Sequence, residues 1–61
     1  MSIAKVIELS AASPESFEDA IRRGIERASK TLDHIQSAWV HDQHVKVDGD
    51  SIVEWRVIIK V

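Results

Sequence analysis

The 61-residue sequence has no cysteine, two glycines and one proline. Without cysteine the chain cannot form a disulfide, a cysteine-ligated zinc site or a thiol nucleophile, and this fits a reducing compartment. Two glycines do not supply a phosphate-cradling loop, and no serine lies in a nucleophile elbow. Because no nucleophile, base and oxyanion donors can be grouped, we predict that the protein is not an enzyme and has no catalytic residues.

The sequence also lacks an excess of charge and a long apolar run. Eight Lys plus Arg stand against ten Asp plus Glu, a formal net charge of −2. This balance gives no electrostatic footprint for nucleic acid or for an anionic membrane. No stretch approaches the ~20 apolar residues of a membrane span, and residues 1–6 lack the apolar core of a signal peptide. We therefore expect a soluble, cytoplasmic protein that binds neither nucleic acid nor a membrane.

The length of the chain is that of one small domain, residues 1–61. The core of a domain of this size rarely supplies more than roughly 3–5 kcal/mol, so such proteins are usually stabilised by disulfides, a metal or partners. With 44% hydrophobic residues and no cysteine, the chain is expected to gain its missing stability from self-association.

The second half of the chain, from residue 37 onward, predicts a long β-hairpin. Asp48-Gly49 is the expected turn, because Gly accepts positive φ and Asp tolerates it. In the last strand an apolar row alternates with a mixed one, so one face needs a covering helix. The apolar row is Val53, Trp55, Val57, Ile59 and Val61, and the mixed row is Ile52, Glu54, Arg56, Ile58 and Lys60.

The covering helix is predicted to begin at Ser13-Pro14, where Ser can cap free N–H groups and Pro loses no hydrogen bond. Apolar residues then recur at intervals of three and four, which places them on one stripe. The stripe consists of Phe17, Ala20, Ile21, Gly24, Ile25, Ala28 and Leu32. Gly24 inside a helix indicates close packing on the sheet. The helix is expected to end within residues 31–35.

Two further strands complete the expected order of strand, helix, strand, strand. Residues 3–9 predict the first strand, and Ser10-Ala11-Ala12 is expected to break it. The second strand is expected from about Gln36 to Val47. Its apolar residues change parity along the strand, so we predict either a β-bulge near residues 41–44 or a strong twist.

His41 and His44 are the first candidates for a metal site. Strict alternation on a strand points them to opposite faces, so within one chain they are not expected to hold one ion, although ions shared between copies stay open. Trp39 alternates with Ser37, His41 and Gln43, which places an aromatic ring among polar residues. Such a ring is an interface anchor, which we favour, or a stacking platform for a planar ligand.

Four segments of the sequence resemble the dodecin family: Val6–Leu9, Ser13–Ile21, Arg27–Leu32 and Trp55–Val61. The resemblance implies a single α+β domain in which a three-stranded antiparallel sheet curls against one helix, and assembly into a hollow homododecamer of cubic symmetry. The best-known dodecins bind pairs of flavins, riboflavin or its phosphate esters such as FMN. They are regarded as flavin stores or buffers rather than enzymes.

The flavin residues of the family are replaced in this chain. Flavin-binding dodecins carry Trp-Phe-Glu at the start of the second strand, where the Trp stacks on the isoalloxazine ring, and this chain has Ser37, Ala38 and Trp39. They also carry a Gln in the last strand that hydrogen-bonds to the flavin, where this chain has Arg56. The Ala38–Gln43 stretch is closer to the subgroup that includes the calcium-associated dodecins.

We therefore predict a non-catalytic dodecin-like shell that binds or stores small ligands or ions. The ligand-binding residues implied by the resemblance are Ser37, Trp39, Gln43 and Arg56, and no metal ligand is assigned. The alternative is a purely structural or stress-related assembly without a dedicated ligand.

Overall fold

The computed structural model describes residues 6–61. Its elements are β1 (Glu8–Ser13), α1 (Phe17–Ala28), β2 (Trp39–Asp48) and β3 (Ser51–Lys60). β3 is the central strand of the order β1-β3-β2 and pairs antiparallel with both neighbours. Backbone hydrogen bonds of 3.1 and 2.9 Å between Ile7 and Val61 extend the β1–β3 ladder. The predicted α+β fold, a three-stranded antiparallel sheet with one helix, is confirmed.

No helix in the described residues is both long and apolar enough to cross a membrane.

β1 differs from the strand predicted over residues 3–9. It runs from Glu8 to Ser13, so the Ser10–Ala12 segment that was expected to break the strand lies inside it. Small side chains are poor strand formers, but pairing with a neighbouring strand overrides this preference. Their size also lets the helix approach, and Ala11 packs against the core. Residues 3–5 of the predicted strand lie outside the described part of the chain.

The helix begins later than Ser13-Pro14, so that prediction was wrong. Ser16 is the N-cap, and its Oγ accepts the backbone N–H of Asp19 at 3.0 Å. Ser13 cannot start the helix because its backbone still belongs to the β1–β3 ladder. Its hydroxyl is buried, accepts the N–H of Glu15 at 2.9 Å and donates to the Asp19 carboxylate at 2.5 Å.

The helix ends at Ala28, so the prediction that it ends within residues 31–35 was wrong. The predicted apolar stripe is confirmed as far as Ala28, and Leu32 lies beyond it. The hydroxyl of Ser29 donates to the Ile25 carbonyl at 2.8 Å, and that of Thr31 to the Ala28 carbonyl at 3.4 Å. Hydroxyl groups that bond to nearby carbonyls compete with helix continuation. The Leu32 N–H closes the last turn on the Ala28 carbonyl at 2.8 Å.

The core lies where the helix crosses β3. Ala20, Val57 and Ile59 are each 0% exposed. A Cβ on Gly24 would meet the Ile59 Cδ1 at 3.0 Å and the Ala11 Cβ at 3.1 Å, so the glycine is needed for the close approach, as predicted. The partly buried residues around this cluster are Leu9, Ala11, Phe17, Ile21 and Ile25.

A β-bulge at His41 reconciles the two apolar parities of β2. Val40 lies opposite Ile59 and Asp42 lies opposite Ile58, so His41 is an extra residue without a partner. Consecutive β3 residues face opposite sides of the sheet, which puts Val40 on the helix side and Asp42 on the other, outer side. The predicted bulge is confirmed.

The hairpin turn and the start of β2 each differ slightly from the predictions. β2 begins at Trp39 rather than about Gln36. Asp48 pairs with Ser51, so the loop is Gly49-Asp50 instead of Asp48-Gly49. Gly49 has φ 65°, and a two-residue hairpin loop of the II′ type requires positive φ at its first position.

The hairpin projects well past the helix. The molecule measures 52 × 20 × 13 Å with a radius of gyration of 13.2 Å, whereas a compact chain of this length is expected near about 10.5 Å. α1 packs on β1 and β3. Val47, Ile52 and Val53, close to the turn, are 57%, 47% and 45% exposed. The turn end of the hairpin is therefore not covered by the helix.

The first prediction tests the close approach at Gly24. Gly24→Val should lower stability by about 1–3 kcal/mol, because the new side chain overpacks a filled core. Glu26→Val, on the exposed face of the same helix, is the control and should cost less than about 0.7 kcal/mol. Thermal unfolding followed by circular dichroism measures both. Equal losses of stability in the two variants would contradict the close packing at Gly24.

The carboxylate of Asp19 joins the end of β1 to the first turn of α1. The hydrogen bond from the Ser13 hydroxyl, helped by the Arg23 guanidinium 2.6 Å away, lowers the pKa of Asp19, and partial desolvation opposes this shift. A depressed pKa means that the ionised carboxylate stabilises the fold above the ordinary pKa. This contribution disappears as pH falls through the lowered value.

The second prediction follows from this linkage. Ser13→Ala should destabilise the protein near neutral pH, and the difference from wild type should shrink below the ordinary Asp pKa of about 3.9, where the carboxyl group of Asp19 in the unfolded chain becomes protonated. Ser16→Ala, which removes only the N-cap, should cost about 1 kcal/mol with little dependence on pH. Urea unfolding at pH 7 and pH 3 distinguishes the two. A Ser13→Ala loss that is the same at both pH values would contradict the prediction.

Candidate functional site

A cleft of about 580 Å³ lies where the connection from α1 to β2 passes the ends of β1 and β3. We call it the linker cleft. It is lined by Val6, Ile7, Leu32, Asp33, His34, Ile35, Gln36, Ser37, Trp39 and Val61. The lining combines aliphatic side chains with one carboxylate, one imidazole, one amide, one hydroxyl and one indole. Such a mixture of apolar walls and few polar groups is typical of small-molecule sites.

The connection from α1 to β2 contains one non-glycine residue with positive φ, His34. This residue has φ 59°, in the left-handed region that non-glycine residues rarely adopt. His and Asn are among the residues that occupy this region more often than others. His34 and Asp33 were not predicted as site residues, because nothing in the sequence marks His34 as a left-handed position.

Trp39 is the aromatic residue of the linker cleft. It begins β2 opposite Lys60, and 60% of it is exposed. Because Lys60 lies two residues from Ile58, Trp39 shares the outer side of the sheet with Asp42 and His44. The predicted row was wrong in one member: Gln43 lies opposite Val57, on the helix side, because the bulge shifts the alternation.

Only two of the four predicted ligand-binding residues meet within one chain. Ser37 and Trp39 line the same cleft. Arg56 lies on the outer side opposite His44, and its guanidinium binds Glu54 at 3.1 Å. Gln43 lies on the other side of the sheet. The binding role of all four residues stays a prediction, and a single site containing them would need more than one copy of the chain.

The bulge also affects the relative orientation of the His41 and His44 side chains. Alternation was expected to place His41 and His44 on opposite faces, but His41 is the inserted residue, so strict alternation does not apply across it. Even so, no group of three or more His, Asp or Glu side chains in residues 6–61 is positioned to hold a metal ion.

These features define a class: a small α+β chain with an open antiparallel sheet, one helix packed on it, and a projecting hairpin with an exposed aromatic residue at its base. Residues 3–61 match the dodecin family. The chain belongs to the dodecin family.

Curated and solved relatives agree with this assignment. The calcium dodecin of Mycobacterium tuberculosis is 34% identical over 61 residues, which cover 100% of this chain and 86% of the relative. The structure of the dodecin from Streptomyces davaonensis is similar with a TM-score of 0.85 and 34% identity, covering 92% of this chain and 82% of that one. The dodecin from Streptomyces coelicolor gives a TM-score of 0.86 at 27% identity, with 92% and 80% covered.

Proposed function

We propose that the protein is a non-catalytic dodecin that works as a homododecameric shell and binds a small ligand or ion. The observation that carries this proposal is the uncovered hairpin. Val47, Ile52 and Val53 lie near its tip and are about half exposed. Burying apolar surface is worth about 25 cal/mol per Å², so a chain that leaves such residues in water gains by associating with another.

The edge strand β2 supports the same proposal. Nine of its ten residues are exposed, and Val45 is the one that is half-buried. A long edge strand that contains the exposed Val40 favours association, because its free N–H and C=O groups can pair with another chain. Association with further copies covers both the open edge of β2 and the apolar residues at the hairpin tip.

The ligand is proposed to sit at the linker cleft. Trp39 offers an exposed indole face there, and an aromatic pair is worth about 0.5–1.5 kcal/mol beyond the area it buries. Flavin itself should bind weakly, since Ser37 stands at the stacking position that the family resemblance indicates and Arg56 is a donor only. The name of the mycobacterial relative makes calcium the ion to test first.

Assembly generates the third prediction. Light scattering at micromolar concentration should report about 83 kDa, twelve times the 6.9 kDa chain. Val47→Asp should shift the particle to smaller species, because it places a charge in the proposed apolar contact. Val47→Thr, of similar shape, is the control and should keep the particle large. A stable folded monomer of the unmodified chain would contradict the assembly.

Flavin binding generates the fourth prediction. Titrated riboflavin should lose little fluorescence with the unmodified protein. The double substitution Ser37→Trp with Arg56→Gln should partly restore quenching, because it supplies an aromatic plane and an amide that both donates and accepts hydrogen bonds. Submicromolar quenching by the unmodified protein would contradict this prediction. In that case Trp39→Ala tests whether Trp39 is the substitute platform.

A further inference from the structure

A second cleft, which we call the β1 cleft, lies between β1 and the C-terminal half of α1. Its volume is about 590 Å³. Leu9, Ala11 and Ala28 give it apolar lining, and Arg23, Arg27 and Thr31 give it polar lining. It shares no residue with the linker cleft, so it is a separate place on the molecule.

The two arginines reach this cleft because of the helix period. With 100° per residue, Arg23 and Arg27 lie on one flank of the buried stripe, and Ile21 and Ile25 lie on the other. The arginine flank overhangs β1, which is an edge strand. The isoleucine flank packs against the core cluster. The side of the helix at β1 is therefore basic, while the opposite side is apolar.

The charges in the β1 cleft are only partly compensated. The Nε of Arg23 binds the Asp19 carboxylate at 2.6 Å, and this arginine remains 52% exposed. Within residues 6–61, Arg27 has no carboxylate within ion-pair distance. Arg27 therefore carries an uncompensated positive charge next to apolar lining. Guanidinium groups bind phosphate and carboxylate through paired N–H donors.

The free edge of β1 adds backbone donors to the same cleft. Ile7 and Val61 exchange both of their backbone hydrogen bonds, so alternate β1 residues turn the other way. The N–H groups of Ser10 and Ala12 therefore point away from β3, and both residues line the cleft. The carbonyl oxygens of Ser10 and Ala12 point outward as well, so this strand edge offers acceptors as well as donors. The positive charge of the cleft therefore comes from the two arginines.

We propose that the β1 cleft binds a small organic anion whose phosphate or carboxylate head lies between Arg23 and Arg27. Its apolar body packs against Leu9 and Ala28. The volume is in the range of small-molecule sites, about 300–1,000 Å³. A bare inorganic ion would leave the apolar lining unused, so a head group on an apolar body fits better than an ion alone. This site is independent of the ligand proposed for the linker cleft.

The experiment uses phenyl phosphate, benzoate and phenol, with the full chain at constant ionic strength. Calorimetric titration should detect one or both anions and not phenol, and the tighter anion identifies the head group. Arg27→Gln should weaken that binding about tenfold or more, as expected for the loss of a charge-assisted hydrogen bond. Arg22→Gln removes the same charge from the same helix outside the cleft and should leave binding within about twofold, since only long-range screening changes.

Each other outcome overturns the proposal. Equal losses in the two variants would mean that the anion responds to overall charge, and an unchanged affinity in Arg27→Gln would remove the arginine from the site. Binding of phenol as tight as that of the anions would make the cleft merely apolar. Absence of binding by both anions would leave the cleft without the proposed ligand. The melting temperature of each variant without ligand shows that it is folded.

Discussion

The close approach of the helix to β3 is the contact on which the rest of the structure depends. Ala20, Gly24 and Ala28 present almost no side chain to the sheet, so Val57 and Ile59 fill the space between the two layers. Small residues on one surface and branched residues on the other give close packing in a very thin core. Because this core holds so few residues, the core of one chain by itself supplies little stability.

The bulge at His41 is the second determinant, since it decides which residues share a surface. One inserted residue moves every later side chain of a strand to the opposite face. Without the bulge, Val45 and Gln43 would both lie on the outer side of the sheet, together with Trp39. With it, the helix side of β2 carries Val40, Gln43 and Val45, and the outer side carries polar residues around Trp39. The bulge at His41 thus separates an apolar surface from a polar one, and a second register shift, between Lys46 and Val47, lies close to the hairpin turn.

These two features also explain what the sequence could predict. The helix stripe, the close packing of Gly24 and the alternation of β3 follow from periods that local side chains determine. The approximate region of the bulge could be predicted, because the apolar residues of β2 change from one face of the strand to the other. The position of the inserted residue could not, because it depends on pairing with β3. The end of the first strand and the N-cap at Ser16 were missed for a related reason. Ser13 takes part in the sheet, and a sequence does not show which of two serines does so.

The candidate site was harder to predict than the fold, because its members come from segments without a period. Ser37 and Trp39 meet in the linker cleft, and the connection that leads to them contains the left-handed residue His34. The β1 cleft depends on a different relation, the overhang of one helix flank beyond an edge strand. That flank carries Arg23 and Arg27, whereas the flank toward β2 carries Ile21 and Ile25. If copies of the chain associate through apolar surface, they meet on the isoleucine flank and the hairpin. The basic flank then stays accessible, so the proposed assembly and the proposed anion site use different sides of one helix.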